Sequence, residues 1–213
     1  MQLGLRNGRR DSDGGEIMEV LLKAEDLRVF QPGAWEQEAK ITGQAGERIF
    51  LQGSHKSCLY LFEILCGLRK PDRGFVQMDF STIGAIPYGI GFLPELCLLD
   101  QVTMEARLRG CPARQIQDML AENAMEQLPF HCLYNPACRS DEYVKALAAI
   151  LQATFMGQKI LIFHDPFRDL PAIEARIVWK ELEAVLHKDR LFIYLSSDPA
   201  PDFITWTQAL RIL

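Results

Sequence analysis

Two runs, KILIF (Lys159–Phe163) and RLFIYL (Arg190–Leu195), are almost continuously apolar and rich in β-branched and aromatic side chains. A strand wetted on one face alternates polar and apolar residues. A strand with no polar position must be covered on both faces, the condition found inside a parallel sheet. Between the runs, Ala172–His187 carries helical spacing. Strand, helix, strand at that separation is a βαβ crossover, which is right-handed almost without exception. The chain is therefore expected to be α/β with a central, largely parallel sheet.

The remaining elements fit around that unit. Glu19–Phe30 and Glu38–Thr42 alternate as strands, with Gln31–Trp35 as the turn of an edge hairpin. Arg48–Gln52 reads as a short apolar strand, followed by a buried helix over Leu59–Cys66 that stops at Gly67. In the middle third, Thr103–Arg109, Pro112–Gln127 and Asp141–Phe155 read as helices; Tyr143, Leu147, Leu151 and Phe155 fall on one stripe of the last. These helices form a lobe of about residues 102–156 inserted into the sheet domain. Residues 1–17 contain Arg9 and Arg10 but no apolar core of a secretory signal, and are expected to form a flexible tail ahead of a domain spanning 18–213.

Composition bears on partners. Of 213 residues, 48% are apolar and 24% charged, ordinary for a folded globular chain. A net charge of −5 with scattered basic residues offers no general attraction to nucleic acid or anionic lipid. Apolar runs such as Leu59–Leu68 fall far short of the ~20 residues a spanning helix needs. Six cysteines lie in mostly apolar contexts without a paired CxxC, which favours buried thiols in a reducing cytoplasm. His131, Cys132 and Cys138 form the most metal-like grouping, but their spacing fits no closed zinc site. No metal is expected.

One segment has the layout of a phosphate-binding unit without its chemistry. Gly46–Gly74, GERIFLQGSHKSCLYLFEILCGLRKPDRG, runs from strand to buried helix yet contains no GxxxxGK[ST]. Such a loop needs glycines so that backbone amides converge on phosphate, a lysine for neutralisation and a hydroxyl for Mg²⁺. Only Gly53 survives at the strand's end. The residues that could still meet a nucleotide are Gly53, Ser54, His55, Lys56, Ser57 and Cys58.

With IGFLPE at Ile90–Glu95, LLDQVTMEARLRG after it and LIFHDPF at Leu161–Phe167, the order of stations resembles the nucleotide-binding subunit of ATP-binding cassette (ABC) transporters over roughly Val20–Leu213. The resemblance implies a three-layer P-loop NTPase-like fold with an antiparallel β edge and a helical lobe. It also implies site positions. Anchored on Gly53 and Gly67, the loop is one residue short, with Cys58 at the lysine and Leu59 at the magnesium serine. Glu95 stands at the glutamine-loop position, His164 and Asp165 at the metal aspartate and catalytic glutamate, and Ser197 at the terminal histidine. The signature loop falls near Ser140–Tyr143, and Phe30 where an aromatic stacks on adenine.

Each residue also has a plainer role. His164 reads as a hydrogen-bonded interior histidine, Asp165 before Pro166 as a turn cap, Phe30 as core packing and Glu95 as a solvated carboxylate. Losing the lysine, hydroxyl and convergent amides would remove on the order of 5–9 kcal/mol of phosphate binding. The leading expectation is a degenerate cassette subunit, a pseudo-ATPase that docks a membrane permease through its lobe. ATP and Mg²⁺ are possible but disfavoured cofactors. Such a subunit would be cytoplasmic and reach the inner membrane only through a partner, with a second ATPase subunit or another copy as further partners and no nucleic acid. The alternatives are a divergent P-loop ATPase or kinase using Lys56, Ser57 and Asp165, and a regulatory or scaffold module outside transport.

Overall fold

The computed structural model describes residues 19–28, 39–186, 189–202 and 204–212. The chain-end segment 1–18, the turn at 31–35 and Phe30 lie outside the described residues. Strands β1 (Val20–Arg28), β2 (Ala39–Gln44) and β3 (Arg48–Gln52) precede helix α1 (His55–Leu65), then β4 (Arg73–Met78) and β5 (Ile83–Ile86). Helices α2 (Leu98–Val102), α3 (Met104–Leu108), α4 (Ala113–Glu122) and α5 (Glu142–Thr154) follow. The chain closes with β6 (Ile160–His164), α6 (Ala172–Val185), β7 (Leu191–Ser196) and β8 (Gln208–Arg211).

The two apolar runs form neighbouring parallel strands, as their composition requires. The parallel sheet has the order β5-β6-β7-β3-β8, with every residue of β6 and β7 buried. Its two faces differ in chemistry because the strand alternation sorts them. Ile49, Leu51, Ile160, Ile162, Leu191, Ile193 and Leu195 pack with α1 and the antiparallel sheet. Phe50, Leu161, Phe163, Phe192 and Tyr194 face α5, α6 and the lobe. That second face is an aromatic cluster in which Trp179 meets Tyr194 at 4.9 Å and Phe167 at 5.5 Å.

The β edge is larger than the hairpin read from the sequence. β1 is the centre of a three-stranded antiparallel sheet, β2-β1-β4, whose third strand comes from Arg73–Met78 after α1. Strands β4, β5 and β8 have too little alternation over four to six residues to be read as strands alone; their partners define them.

Helix α1 starts at His55, four residues before the expected Leu59, because Ser54 caps it: its Oγ accepts the Ser57 N–H at 3.1 Å. At the other end Gly67, at φ 71°, makes the expected stop; its N–H and that of Leu68 donate to Ile64 and Glu63 carbonyls. Helix α4 ends at Glu122 instead of Gln127, with Asn123 turning its side-chain amide back onto the Met119 carbonyl. The lobe shares one continuous core with the aromatic face of the sheet: Leu98, Val102, Ile116 and Leu147 belong to the same cluster as Phe163 and Phe192. Among the cysteines only Cys58 is buried and Cys138 is exposed, so the expectation of buried thiols holds for one position.

Helix α5 lies directly on β5. A Cβ at Gly84 would stand 1.9 Å from the Ala153 carbonyl oxygen. Gly84→Ala is expected to cost about 2 kcal/mol or more through backbone displacement, read as a lowered urea midpoint, while Gly89→Ala, where no atom lies within 4 Å of the added carbon, costs about 1 kcal/mol from its positive φ alone.

Candidate functional site at the carboxyl ends of the parallel strands

In open α/β sheets, ligands bind outside the carboxyl ends of the strands. Here β3 ends at Gly53, β6 at His164 and Asp165, and β7 at Ser196 and Ser197. The parallel register brings these together, and the Gly53 N–H donates to the Ser196 carbonyl at 3.1 Å. A Cβ at Gly53 would meet the Ile212 carbonyl at 2.7 Å, so this glycine is required by the neighbouring chain.

The link from β3 to α1 is only Gly53 and Ser54. Residues placed by sequence in a loop, His55 to Cys58, form the first turn of α1. Their groups are largely used within that turn: the Ser57 N–H goes to Ser54 Oγ, the Cys58 N–H to the Ser54 carbonyl at 2.9 Å, and the two serine hydroxyls lie 2.8 Å apart. Ser57 and Cys58 are buried. Burial, and to a lesser degree the Asp165 charge, push the Cys58 thiol up to about 12 against the pull of the Gly53 amide. Lys56 is exposed, with its ammonium 5.8 Å from the ring centre of Tyr60. Leu59, at the magnesium-serine position, is exposed and carries no oxygen.

His164 is fully buried, as expected of an interior histidine, but among the described residues neither ring nitrogen has a hydrogen-bond partner. It is held by rings. His55 stacks on it at 5.1 Å, Phe62 lies at 5.8 Å and Tyr88 at 6.1 Å, while Tyr88 also meets His55 edge-on at 5.0 Å. Burial chiefly, with His55 adding, lowers the His164 pKa to about 4, against the opposing pull of Asp165. At neutral pH this is an uncharged imidazole where the cassette pattern places a metal-binding carboxylate.

Asp165 is engaged rather than free. It sits at φ 42°, uncommon for a residue other than glycine. Its carboxylate accepts the Tyr194 hydroxyl at 3.3 Å and the Ser197 N–H at 3.2 Å, and its own N–H donates to the Leu195 carbonyl. The expected turn is present, since the Arg168 N–H reaches the Asp165 carbonyl at 3.4 Å. Arg168 also donates to Ser197 Oγ and pairs with Asp198. Burial first, then Asp165, raises the Tyr194 phenol well above its ordinary range.

Glu95 is exposed in a turn, and among the described residues no hydrogen bond or ion pair joins it to Ser54–Cys58 or His164. Its loop is fastened to the lobe instead. Buried Gln101 accepts the Leu93 N–H at 2.6 Å and donates to the Leu93 and Leu96 carbonyls. The Ala137 and Cys138 N–H groups donate to the Leu96 and Pro94 carbonyls, and Ser140 Oγ to Pro136. The segment leading to Ser140–Tyr143 is thus tied to the Glu95 loop. Gln101 escaped the sequence reading, although a polar residue on the stripe of Leu98 and Val102 was a signal. Tyr88 had none, lying in an irregular loop.

No protein-family model and no curated protein matches the chain. Solved structures do. A chain from Pyrococcus furiosus described as an ABC transporter ATP-binding protein superposes with TM-score 0.71 at 16% identity, covering 90% of this chain and 96% of that one. A bacterial ABC transporter cassette solved as a dimer gives TM-score 0.66 at 15% identity, with 84% and 88% covered. A nucleotide-free ATP-binding cassette gives TM-score 0.64 at 13% identity, with 84% and 81% covered.

The chain has the fold of an ATP-binding cassette. At the two positions that the sequence resemblance assigns to Mg²⁺, the side chains of Leu59 and His164 supply no hard oxygen, so the residues present do not fit that cation.

His164 carries a pH signature. Its pKa near 4 in the fold, against an ordinary 6.5, means that the unfolded chain takes up a proton which the folded chain refuses. The associated stability is full above pH 6.5 and drains away as pH falls toward 4, at no more than about 1.4 kcal/mol per pH unit. His164→Leu is expected to flatten that part of the profile in urea unfolding at pH 7 and 4.5. Asp165→Asn weakens the Tyr194 and Ser197 contacts and is expected to cost about 1–3 kcal/mol at pH 7.

Proposed function

We propose that the chain is a degenerate cassette subunit, a pseudo-ATPase that keeps the scaffold for docking a membrane permease and hydrolyses little or no ATP. The observation that carries this reading is the two-residue link between β3 and α1. A phosphate loop wraps phosphate with successive free amides; here the equivalent residues are wound into a capped helix turn. The neutral, unpaired His164 in place of a metal ligand points the same way, because phosphoryl transfer needs the metal and an aligned nucleophile.

What remains intact is a docking surface. Leu99, Thr103, Ile116, Leu120, Phe130 and Tyr134 line a largely apolar groove of about 590 Å³ in the lobe, and Leu108 of the same lobe is 81% exposed. No described helix is long and apolar enough to cross a membrane, so in this reading the chain is cytoplasmic and meets the inner membrane through its permease. A second ATPase subunit or another copy would complete the assembly, as in the relative solved as a dimer.

The active-enzyme reading with Lys56, Ser57 and Asp165 finds less support. Ser57 is buried against Ser54, Lys56 lies beside Tyr60, and Asp165 is occupied by Tyr194 and Ser197. A scaffold outside transport would share the same weak nucleotide site and differ in lacking a permease partner.

Titration with a fluorescent ATP analogue, with and without Mg²⁺, is expected to show no magnesium-dependent saturation, and phosphate release to stay at the background of the Lys56→Ala variant. Saturable, Mg²⁺-dependent binding abolished by Lys56→Ala, together with turnover, would restore the enzyme reading. For docking, Leu108→Glu with Tyr134→Ala is expected to weaken saturable binding to urea-washed membranes carrying the permease by about tenfold or more.

A further inference from the structure

We infer that the rings of His55, Tyr88 and His164 form a built-in plug, an autoinhibitory contact that fills the anion-binding space at the start of α1. The inference rests on the pseudo-ATPase reading and states how the site is kept shut. Helix α1 is 11 residues long, enough for its N-terminus to carry partial positive charge and donors without internal acceptors. The Gly53, Ser57 and Cys58 amides are committed within the protein. Those of Ser54, His55 and Lys56 remain as the first-turn donors, and Lys56 adds an exposed cation. Left bare, this is the arrangement that draws phosphate and carboxylate groups.

It is not bare. Three elements each bring one ring to a stack at the helix's first residue: His55 itself from α1, Tyr88 from the loop after β5 and His164 from the end of β6. Behind them Phe62, one face of the same helix, supports His164. His164 has no hydrogen-bonding partner for either nitrogen while lying fully buried. A polar ring in that condition is placed by packing against its neighbouring rings. Every exposed plug residue lies on the outer side: His55 is exposed and Tyr88 is 41% exposed. Those two rings can therefore be removed without opening a hole in the core.

The test uses the full chain and inorganic pyrophosphate without added metal, followed by calorimetric titration at low salt. His55→Ser with Tyr88→Ser is expected to bind pyrophosphate at least about tenfold more tightly than the unaltered chain, as a freed helix start and lysine would. Adding Lys56→Ala should cancel most of the gain. His55→Ser alone, a change at one exposed first-turn side chain, should give part of it and decides the matter if the double variant does not fold. Equal affinity in the unaltered chain and in a folded variant would overturn the plug. ATP turnover by the unaltered chain, measured separately, would overturn the pseudo-ATPase reading, so the two failures are distinct.

Discussion

The parallel pairing of β3, β6 and β7 sets everything else in the molecule. Because these strands run the same way with matched ends, their carboxyl termini meet at one edge, which brings Gly53, His164, Asp165 and Ser197 together. The pairing is enforced by burial on both faces: a one-residue slip of β6 or β7 would exchange Ile162 and Ile193 with Phe163 and Phe192, putting bulky rings against α1 and leaving the aromatic face with Trp179 unfilled. Rings on one side and branched aliphatics on the other make the register a matter of volume as well as of hydrophobicity.

That constraint explains what could be read in advance. Lys159–Phe163 and Arg190–Leu195 announced a parallel core because nothing polar interrupts them, and Arg48–Gln52 was legible for the same reason. The stripe of Leu147, Leu151 and Phe155 placed the face of α5. Short elements were illegible: β4, β5 and β8 exist because a neighbouring strand offers hydrogen bonds, which no local pattern records. The start of α1 was missed for a different reason. Ser54 is an ordinary capping residue, but comparison with a longer phosphate loop hid the fact that its cap begins the helix at once.

At the candidate site, the structure brings some of the residues singled out by sequence together and gives several of them different contacts from those expected. Gly53, His164, Asp165 and Ser197 do converge. Glu95 stands apart on a loop secured by Gln101, and Phe30 lies outside the described residues. His164 was expected to be bonded and is instead held by stacking, a distinction invisible to composition, since a histidine on an apolar strand looks the same whether a carbonyl or another ring lies opposite. Asp165 was expected to cap a turn; its backbone carbonyl closes that turn, while its carboxylate instead joins the ends of β6 and β7 through Tyr194 and Ser197.

The residues at this edge support one another. With only Gly53 and Ser54 between β3 and α1, Ser54 caps the helix, His55 falls in its first turn and its ring lies against His164. A carboxylate at position 164 would stand beside Asp165, and two like charges at a buried strand end raise the energy of both; an uncharged imidazole removes that repulsion and leaves Asp165 free to accept Tyr194 and Ser197. Ser197, with a short side chain, accepts Arg168, which in turn pairs with Asp198. Among the described residues, Ser54, Ser57, Asp165 and Ser197 are satisfied by one another or by their neighbours, and the buried side-chain atoms without a partner are the two ring nitrogens of His164. These contacts hold the start of α1 and the ends of β6 and β7 in place.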